Sequence, residues 1–307
     1  MFVRSLRSVT HAPRISRNLS SHTKMSPPEK KQKTGGYSST TCWGGIPGRG
    51  EFVRLALEYA GVPYTENNEN NILSTLGNPA KIGIPPHFAP PALQLPSGHV
   101  LSQTSNILNH IAPRFGLAGE LGSRLAERSE EEEAEEKPLT KEERERAEEE
   151  RSTVNQLVLI TLDLTAHDTH HPISSSLYYE DQKPEAARRA AAFRAERIPR
   201  FLSYFQCVLA SNPATGGTTK CKGKGMFLVG ARTTTADLAL FHVVDGLLYA
   251  FPRRMKTLRE SGEYDSVFGL HERVQGENGI KEYLASGRRQ PFGMGLYRHY
   301  AELDGEE

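Results

Sequence analysis

The stretch "TTCWGGIPGRGEFVRLALEYAGVPYTE", Thr40 to Glu66, decides how the rest of the chain is read. Ser38 to Trp43 reads as a strand that runs into a glycine-rich turn from Gly44 to Gly50. Phe52, Val53, Ala56, Leu57 and Ala60 then recur at helical spacing, and Gly61 is a natural stop for that helix. "VPYTE", from Val62, reads as a second strand, so the unit is strand, helix, strand with a short crossover. The turn "GGIPGRG" is no dinucleotide fingerprint: its glycine spacing is wrong, and no acidic residue ends the second strand.

Working outward, the polar stretch Glu66 to Pro85 reads as a loop with one short helix. "PALQLPSGHVLSQ", Pro91 to Gln103, alternates about a Pro-Ser-Gly turn as a β-hairpin would. Ile107, Leu108 and Ile111 restore helical spacing. This order is thioredoxin-like and complete by about residue 116. Everything later reads as helix: Val154 to His167, a long helix opened by Pro184 and kinked by Pro199, and helices near Thr234–Ala250, Ser266–Gln275 and Ile280–Ser286. "SNPATGGTTKCKGKG" is a loop between them. In "TTAD", Thr234 to Asp237, the spacing predicts a capping box at a helix start. The expected fold class is therefore α/β: a thioredoxin-like N-terminal domain over 38–116, followed by an all-α helical domain over 117–307. The charge run Glu127 to Arg151, divided by Pro138, is expected to be an insert in that second domain, either a solvated helix or disordered.

Composition narrows the function. With 37% hydrophobic and 24% charged residues, the 307-residue chain is ordinary for a globular protein, and no apolar run approaches the roughly 18 to 20 residues of a membrane span. Three cysteines (Cys42, Cys207, Cys221) are too few for a secreted disulfide framework or a tetrahedral zinc site, which points to a reducing compartment. Residues 1–24 carry Arg4, Arg7, Arg14, Arg17 and Lys24 with many serines and no acid before Glu29, the composition of a mitochondrial presequence, and "RNLSS" resembles a processing site. A matrix location is expected, with the cytoplasm as the alternative. Residues 25–37 read as a linker, with Met25 an alternative start. Without those five cations the net charge of +1 becomes −4, which excludes the general basic character suited to nucleic acid.

Three segments fall in register with one family: "CWGGIPGRGEFVRLALEYAGVPY", "PPALQLPSGHVLSQTSNIL" and "FLVGARTTTADLALF". Together they resemble a glutathione S-transferase over about Ser38 to Asp304, apart from the acidic insert. The resemblance is closest to the tyrosine-type, sigma/mu-like branch and to bacterial and fungal relatives carrying "DTHHP" and "LYYEDQ". It implies a homodimer that binds glutathione and conjugates it to a small hydrophobic electrophile, with glutathione as co-substrate and no metal or tightly held redox cofactor. Gln103 and Thr104 match the family's pair that holds the γ-glutamyl group, and a helix start suits that carboxylate. Pro91 matches the cis-proline, whose preceding residue pairs with the cysteinyl part. Here that residue is Pro90, which has no N–H. Either one ligand hydrogen bond is missing, or Pro90 is itself cis and Ala89 supplies the contact.

By the register of Trp43, which the resemblance makes a wall of the glutathione site, Cys42 stands where the branch has a tyrosine. A thiol near pKa 8.5 must fall about two units to ionise at neutral pH, worth roughly 2.7 kcal/mol, and S–H is a weak donor. Three readings stay open. Transfer persists, with the helix end, Arg49 or Thr41 stabilising the thiolate; Cys42 forms a mixed disulfide, making a thiol transferase or reductase; or the fold binds ligands or partners without turnover, the acidic insert serving as a scaffold's contact. Against the second stands the absence of a "CPF" turn, since Gly44 and Gly45 follow Trp43. In "DLTAHDTHHP", Asp163, His167 and His170 or His171 share a helical face, yet no zinc-enzyme pattern appears, and a polar wall near the electrophile fits better. His170, Tyr178 and Tyr179, with Phe251 and Phe292 behind them, are the candidates for that second pocket.

Overall fold

The computed structural model describes residues 36–40, 45–67, 72–82, 85–125, 138–167, 179–217, 225–293 and 295–305. Strand β1 (Tyr37–Thr40) leads to helix α1 (Glu51–Tyr59) and strand β2 (Tyr64–Asn67), which runs parallel to β1. Helix α1 buries Phe52, Val53, Leu55, Ala56 and Leu57, as its apolar spacing requires. Gly61 ends it at φ +65, where a Cβ would be strained. Two short helices, α2 (Ile72–Leu76) and α3 (Pro79–Ile82), stand where one was expected. Strands β3 (Ala92–Gln94) and β4 (Val100–Ser102) form the hairpin, and helix α4 (Thr104–Arg114) follows.

The sheet order is β2-β1-β3-β4, with β3 antiparallel to both β1 and β4. Alternation along the strands sorts their side chains between two faces. Leu93 joins Ile107, Leu108 and Ile111 of α4 in the main core, whereas Ala92 and Val100 meet Leu76 in a small cluster on the other face.

The rest of the chain is helical: α5 (Lys141–His167), α6 (Lys183–Ala192), α7 (Ile198–Ser211), α8 (Thr235–Ala250), α9 (Pro252–Glu260), α10 (Asp265–Gly276) and α11 (Asn278–Ala285). None of the helices among the described residues is long and apolar enough to cross a membrane. The thioredoxin-like half and the helical half share the main core.

Several elements differ from expectation for identifiable reasons. Lys141–Arg151, the second part of the acidic run, is the first half of α5, continuous with the apolar stretch from Val154. Ala147 is buried, and Glu150 accepts the amides of Leu121 (2.6 Å) and Gly122 (2.8 Å). The first part of the run lies outside the described residues. Pro184 stands at the start of α6 as expected. Pro199, however, sits in the first turn of α7, and a π-helical turn, Phe193–Arg197, separates the two helices. Helix α9 escapes a periodicity search because only Met255 and Leu258 are buried among Arg253, Arg254, Lys256 and Arg259. Its first amides are satisfied from afar, Arg253 N and Arg254 N donating to Asp304 at 2.8 and 3.3 Å. Cys207, on α7, is half-buried and disulfide-bonded.

Helix α8 is the axis of the helical half, buried along nearly its whole length. The predicted capping box is present: Thr234 N and Oγ1 donate to Asp237 Oδ2 at 2.9 and 2.6 Å, while Oδ1 accepts Leu228 N at 3.1 Å. Burial pushes the Asp237 carboxyl up, and the Thr234 hydrogen bonds and Arg273 work against that rise. Asp237→Ala should therefore lower stability by about 3 kcal/mol, since it strands several buried donors at once and removes one of the two carboxylates that face Arg273. Urea midpoints of the two proteins check this; a loss under about 1 kcal/mol would contradict it.

Candidate functional site

Register assembles the site at one end of the sheet. Thr40 lies opposite both Asn67 and Ala92, and Ala92 lies opposite Ser102. The chain leaving β1, the prolines entering β3 and the residues leaving β4 therefore converge. The Pro90–Pro91 peptide is cis, which makes Pro91 the cis residue and leaves Pro90 a carbonyl but no N–H to offer a ligand.

Gln103 has φ +70 and ψ 120, the only positive φ at a non-glycine residue among the described residues. A side chain in that region costs of order 1–3 kcal/mol and persists where the surroundings impose it. Gln103 is exposed, makes no side-chain cap, and turns its carbonyl into the helix to accept Ile107 N at 2.9 Å. Thr104, only 5% exposed, has no hydrogen-bond partner for its Oγ1. An orphaned hydroxyl at a helix N-terminus, two residues beyond the strand position opposite Ala92, makes Thr104 a candidate ligand contact.

Of the other predicted residues, Arg49 is exposed in the turn, and Cys42, Trp43, His170 and Tyr178 lie outside the described residues. Tyr179 is buried in the main core: its ring stacks on Tyr300 at 3.9 Å between centroids and its hydroxyl donates to Glu302 at 3.1 Å. Phe251 is likewise core, and Phe292 stacks on Tyr249. No group of three or more His, Cys, Asp or Glu side chains that could hold a metal occurs among the described residues.

Sequence reasoning missed the charged network behind the turn. Glu51, in the first turn of α1, is fully buried. Its Oε2 accepts from Arg54 (2.5 Å) and the Tyr283 hydroxyl (3.0 Å), and its Oε1 accepts from Arg289 Nε (3.3 Å). Arg54 also reaches Glu66 (2.6 Å) and the Pro47 carbonyl (3.0 Å). Arg289 continues to Asp245 (2.7 Å), which meets His271 at 3.2 Å. Burial opposes the Arg54 charge, but Glu51, Tyr283 and Glu66 outweigh it and raise the guanidinium above its ordinary value. Burial also works to raise Asp245, and His271 with Arg289 holds it below the usual carboxylate range. A glutamate and an arginine three apart on a helix are legible as a local pair; partners from residues 245 to 289 are not.

Residues 167–287 match the family model described as the C-terminal domain of glutathione S-transferases. A glutathione S-transferase of Plasmodium falciparum is 18% identical over 248 residues, covering 80% of this chain and 94% of that protein. Among solved structures, a Pi-class glutathione S-transferase of Onchocerca volvulus superposes with a TM-score of 0.54 at 17% identity, covering 81% of this chain and 91% of that one. Rat hPGDS in complex with a quinoline does so with a TM-score of 0.54 at 16% identity, covering 83% and 100%. The fold is that of a glutathione transferase.

His242, on α8, underlies the same turn. It packs edge-on against Phe52 (4.7 Å between centroids) and faces Phe292 and Tyr297. Burial pushes its imidazole down to about 3. The unfolded chain binds that proton near pH 6.5, so stability is complete above that value and is lost as pH falls, by about 1.4 kcal/mol per unit. Between pH 7 and pH 5 the native protein should lose about 2 kcal/mol more than His242→Phe does. Denaturant titrations at both pH values measure the difference, and equal losses would show His242 to be uncoupled from folding.

Proposed function

We propose that the protein is a glutathione S-transferase that conjugates reduced glutathione to a small hydrophobic electrophile. The observation that carries this reading is the buried, unpartnered Thr104 Oγ1 at the N-terminus of α4, next to the constrained Gln103 and the cis peptide before Pro91. The α-carboxylate of the γ-glutamyl group takes the Thr104 hydroxyl and the first amides of α4, and the exposed Gln103 side chain closes over its amine. The cysteinyl N–H donates to the Pro90 carbonyl; the reciprocal bond is missing because Pro90 has no N–H. The resemblance gives Trp43 the part of a wall of the site and Cys42 the place of the family's tyrosine; both lie outside the described residues. The thiolate attacks the electrophile, a carbon–sulfur bond forms, and the leaving group departs with its electron pair; holding the two reactants together supplies much of the rate. The distant relatives and the C-terminal family model support the same activity.

The proposal includes a homodimer located in mitochondria. Phe88, three residues before the cis-proline, is 92% exposed and gives a second copy an apolar anchor. Phe88→Ser should raise the monomer fraction in sedimentation, and an unchanged distribution would remove it from the interface.

Calorimetry with reduced glutathione, followed by conjugation of an aryl halide, tests the activity. Thr104→Val should weaken glutathione binding about tenfold while leaving stability unchanged or slightly higher, because it deletes a buried hydroxyl that nothing in the protein satisfies. Cys42→Tyr should raise conjugation if the thiol has replaced a working phenol. Turnover of a mixed disulfide that Cys42→Ser abolishes would instead establish a reductase, and binding without turnover a binder. No heat from millimolar glutathione would end the proposal.

A further inference from the structure

Helix α7 carries its one cysteine on the outer side. Ile198, Leu202, Phe205 and Leu209 are buried, whereas Cys207 stands half-buried on the stripe of Arg200, Tyr204 and Ser211, which recur at helical spacing. Its Sγ lies 3.9 Å from Ser211 Oγ, and it is disulfide-bonded. Only Cys42 and Cys221 are available at the other end of that bond. The chain beyond α7 is fastened to the end of the helix from both sides. Gly217 N donates to the Asn212 carbonyl at 2.8 Å, and Asn212 Nδ2 donates to the carbonyls of Phe227 at 2.7 Å and Gly230 at 2.8 Å. Cys221 lies outside the described residues, four positions from Gly217 and four from Gly225, so that either arm reaches about 14 Å. Cys207 is only about 7.5 Å along the helix axis from Asn212. The ring that Cys221 closes, residues 207–221, is far shorter than the ring that Cys42 would close, residues 42–207, and its closure costs less chain entropy.

The two sulfurs are unequal. Cys207 sits in the last turn of α7, where the negative helix end disfavours a thiolate. Cys221 stands between Lys220 and Lys222, with Lys224 beyond, and neighbouring ammonium groups favour one. In thiol–disulfide exchange the more acidic thiol leaves faster, so an incoming thiolate takes the Cys207 sulfur and expels Cys221. Three cysteines make no disulfide framework, and in a reducing compartment a single disulfide is as a rule transient or redox-sensing. We propose that Cys207 and Cys221 form a redox-responsive clip at the end of α7 that reduced glutathione, a small anionic thiol drawn to the same lysines, opens. The first thiolate attacks Cys207 Sγ; a mixed disulfide forms there, and Cys221 departs as thiolate with the electron pair of the broken bond. A second thiolate attacks the glutathione sulfur of that mixed disulfide, Cys207 leaves as thiolate, and both protein thiolates take up the protons that the two glutathiones gave up. One protein disulfide is thereby reduced, and two glutathiones are oxidised to their disulfide. The clip is independent of the reading of the sheet end, since it uses glutathione as a reductant and not as a bound co-substrate.

Mass spectrometry and thermal unfolding of the full chain test it. Tryptic digestion after free thiols are blocked, with no reduction, should yield Phe201–Lys220 joined to Cys221–Lys222; a peptide that joins Cys207 to Cys42 would overturn the pairing. After incubation in about 10 mM reduced glutathione, thiols counted on acid-quenched, denatured protein should rise from one to three, and a bond that stays closed would be a structural one and would overturn the switch. Opening should lower the thermal midpoint by roughly 5–10 °C, and Cys207→Ser and Cys221→Ser should each match the reduced wild type and ignore reductant. A Cys221→Ser protein whose midpoint still falls in reductant would overturn the proposal as well. Lys220→Gln combined with Lys222→Gln keeps both sulfurs and should slow opening about threefold or more; an unchanged rate would overturn the assignment of Cys221 as the leaving thiol.

Discussion

A single buried carboxylate fixes how the two halves of this molecule meet. Glu51 is out of contact with water, and in that setting an ionised carboxylate persists only if donors surround it. It has three: Arg54 from its own helix, Tyr283 from α11 and Arg289 from the segment after α11. Two of these come from the helical half, so the first turn of α1 cannot shift against that half without leaving a charge unpaired. Arg54, pulled by the same carboxylate, reaches on to the Pro47 carbonyl and to Glu66 at β2. The turn after β1, the strand beside it and the C-terminal segment are thereby set by one group. The segment leans on the turn directly as well, since a Cβ on Gly295 would stand 3.1 Å from Ile46 Cδ1.

The same network settles where the site's charge comes from. Arg54 and Arg289, the cations behind the turn, are both committed to carboxylates. The amides of Glu51, Val53 and Arg54 at the start of α1 already donate to the Gly48 and Gly50 carbonyls, and Glu51 itself offsets the positive helix end. Helix α4 differs. Its N-cap makes no side-chain bond, no acidic residue stands in its first turn, and a buried hydroxyl there lacks a partner. Of the two helix starts at this end of the sheet, only that of α4 is free to take an anion.

What was legible in the sequence was what the chain decides locally. The α1 stripe, the hairpin around its Pro-Ser-Gly turn and the Thr234–Asp237 box each depend on residues within a few positions of one another, and each formed as read. Non-local causes were not legible. Asp304 caps α9 from some fifty residues away, Glu150 ties the helix of the acidic run to the amides of Leu121 and Gly122, and Tyr300 stacks on Tyr179. In the site itself, Thr104 followed from motif and helix start together, but the positive φ of Gln103 comes from the strand register, which no spacing encodes.

On the function proposed above, these arrangements separate the binding of a peptide thiol from its activation. Binding needs donors fixed before the ligand arrives, and α4 with its neighbouring cis-proline supplies them on rigid elements. Activation needs positive potential or a good donor at the sulfur, where each unit of thiol pKa is worth about 1.4 kcal/mol. At the start of α1 that potential is already spent on Glu51, and Arg49 stands exposed in water, where its field is screened. On the function proposed above, the thiol that the resemblance sets in place of a phenol at position 42 adds a weak donor to a weak field. On the proposed conjugation, the burden of turnover then falls on proximity between bound thiol and electrophile, and rate should follow how reactive the electrophile is more closely than how acidic the thiol has become.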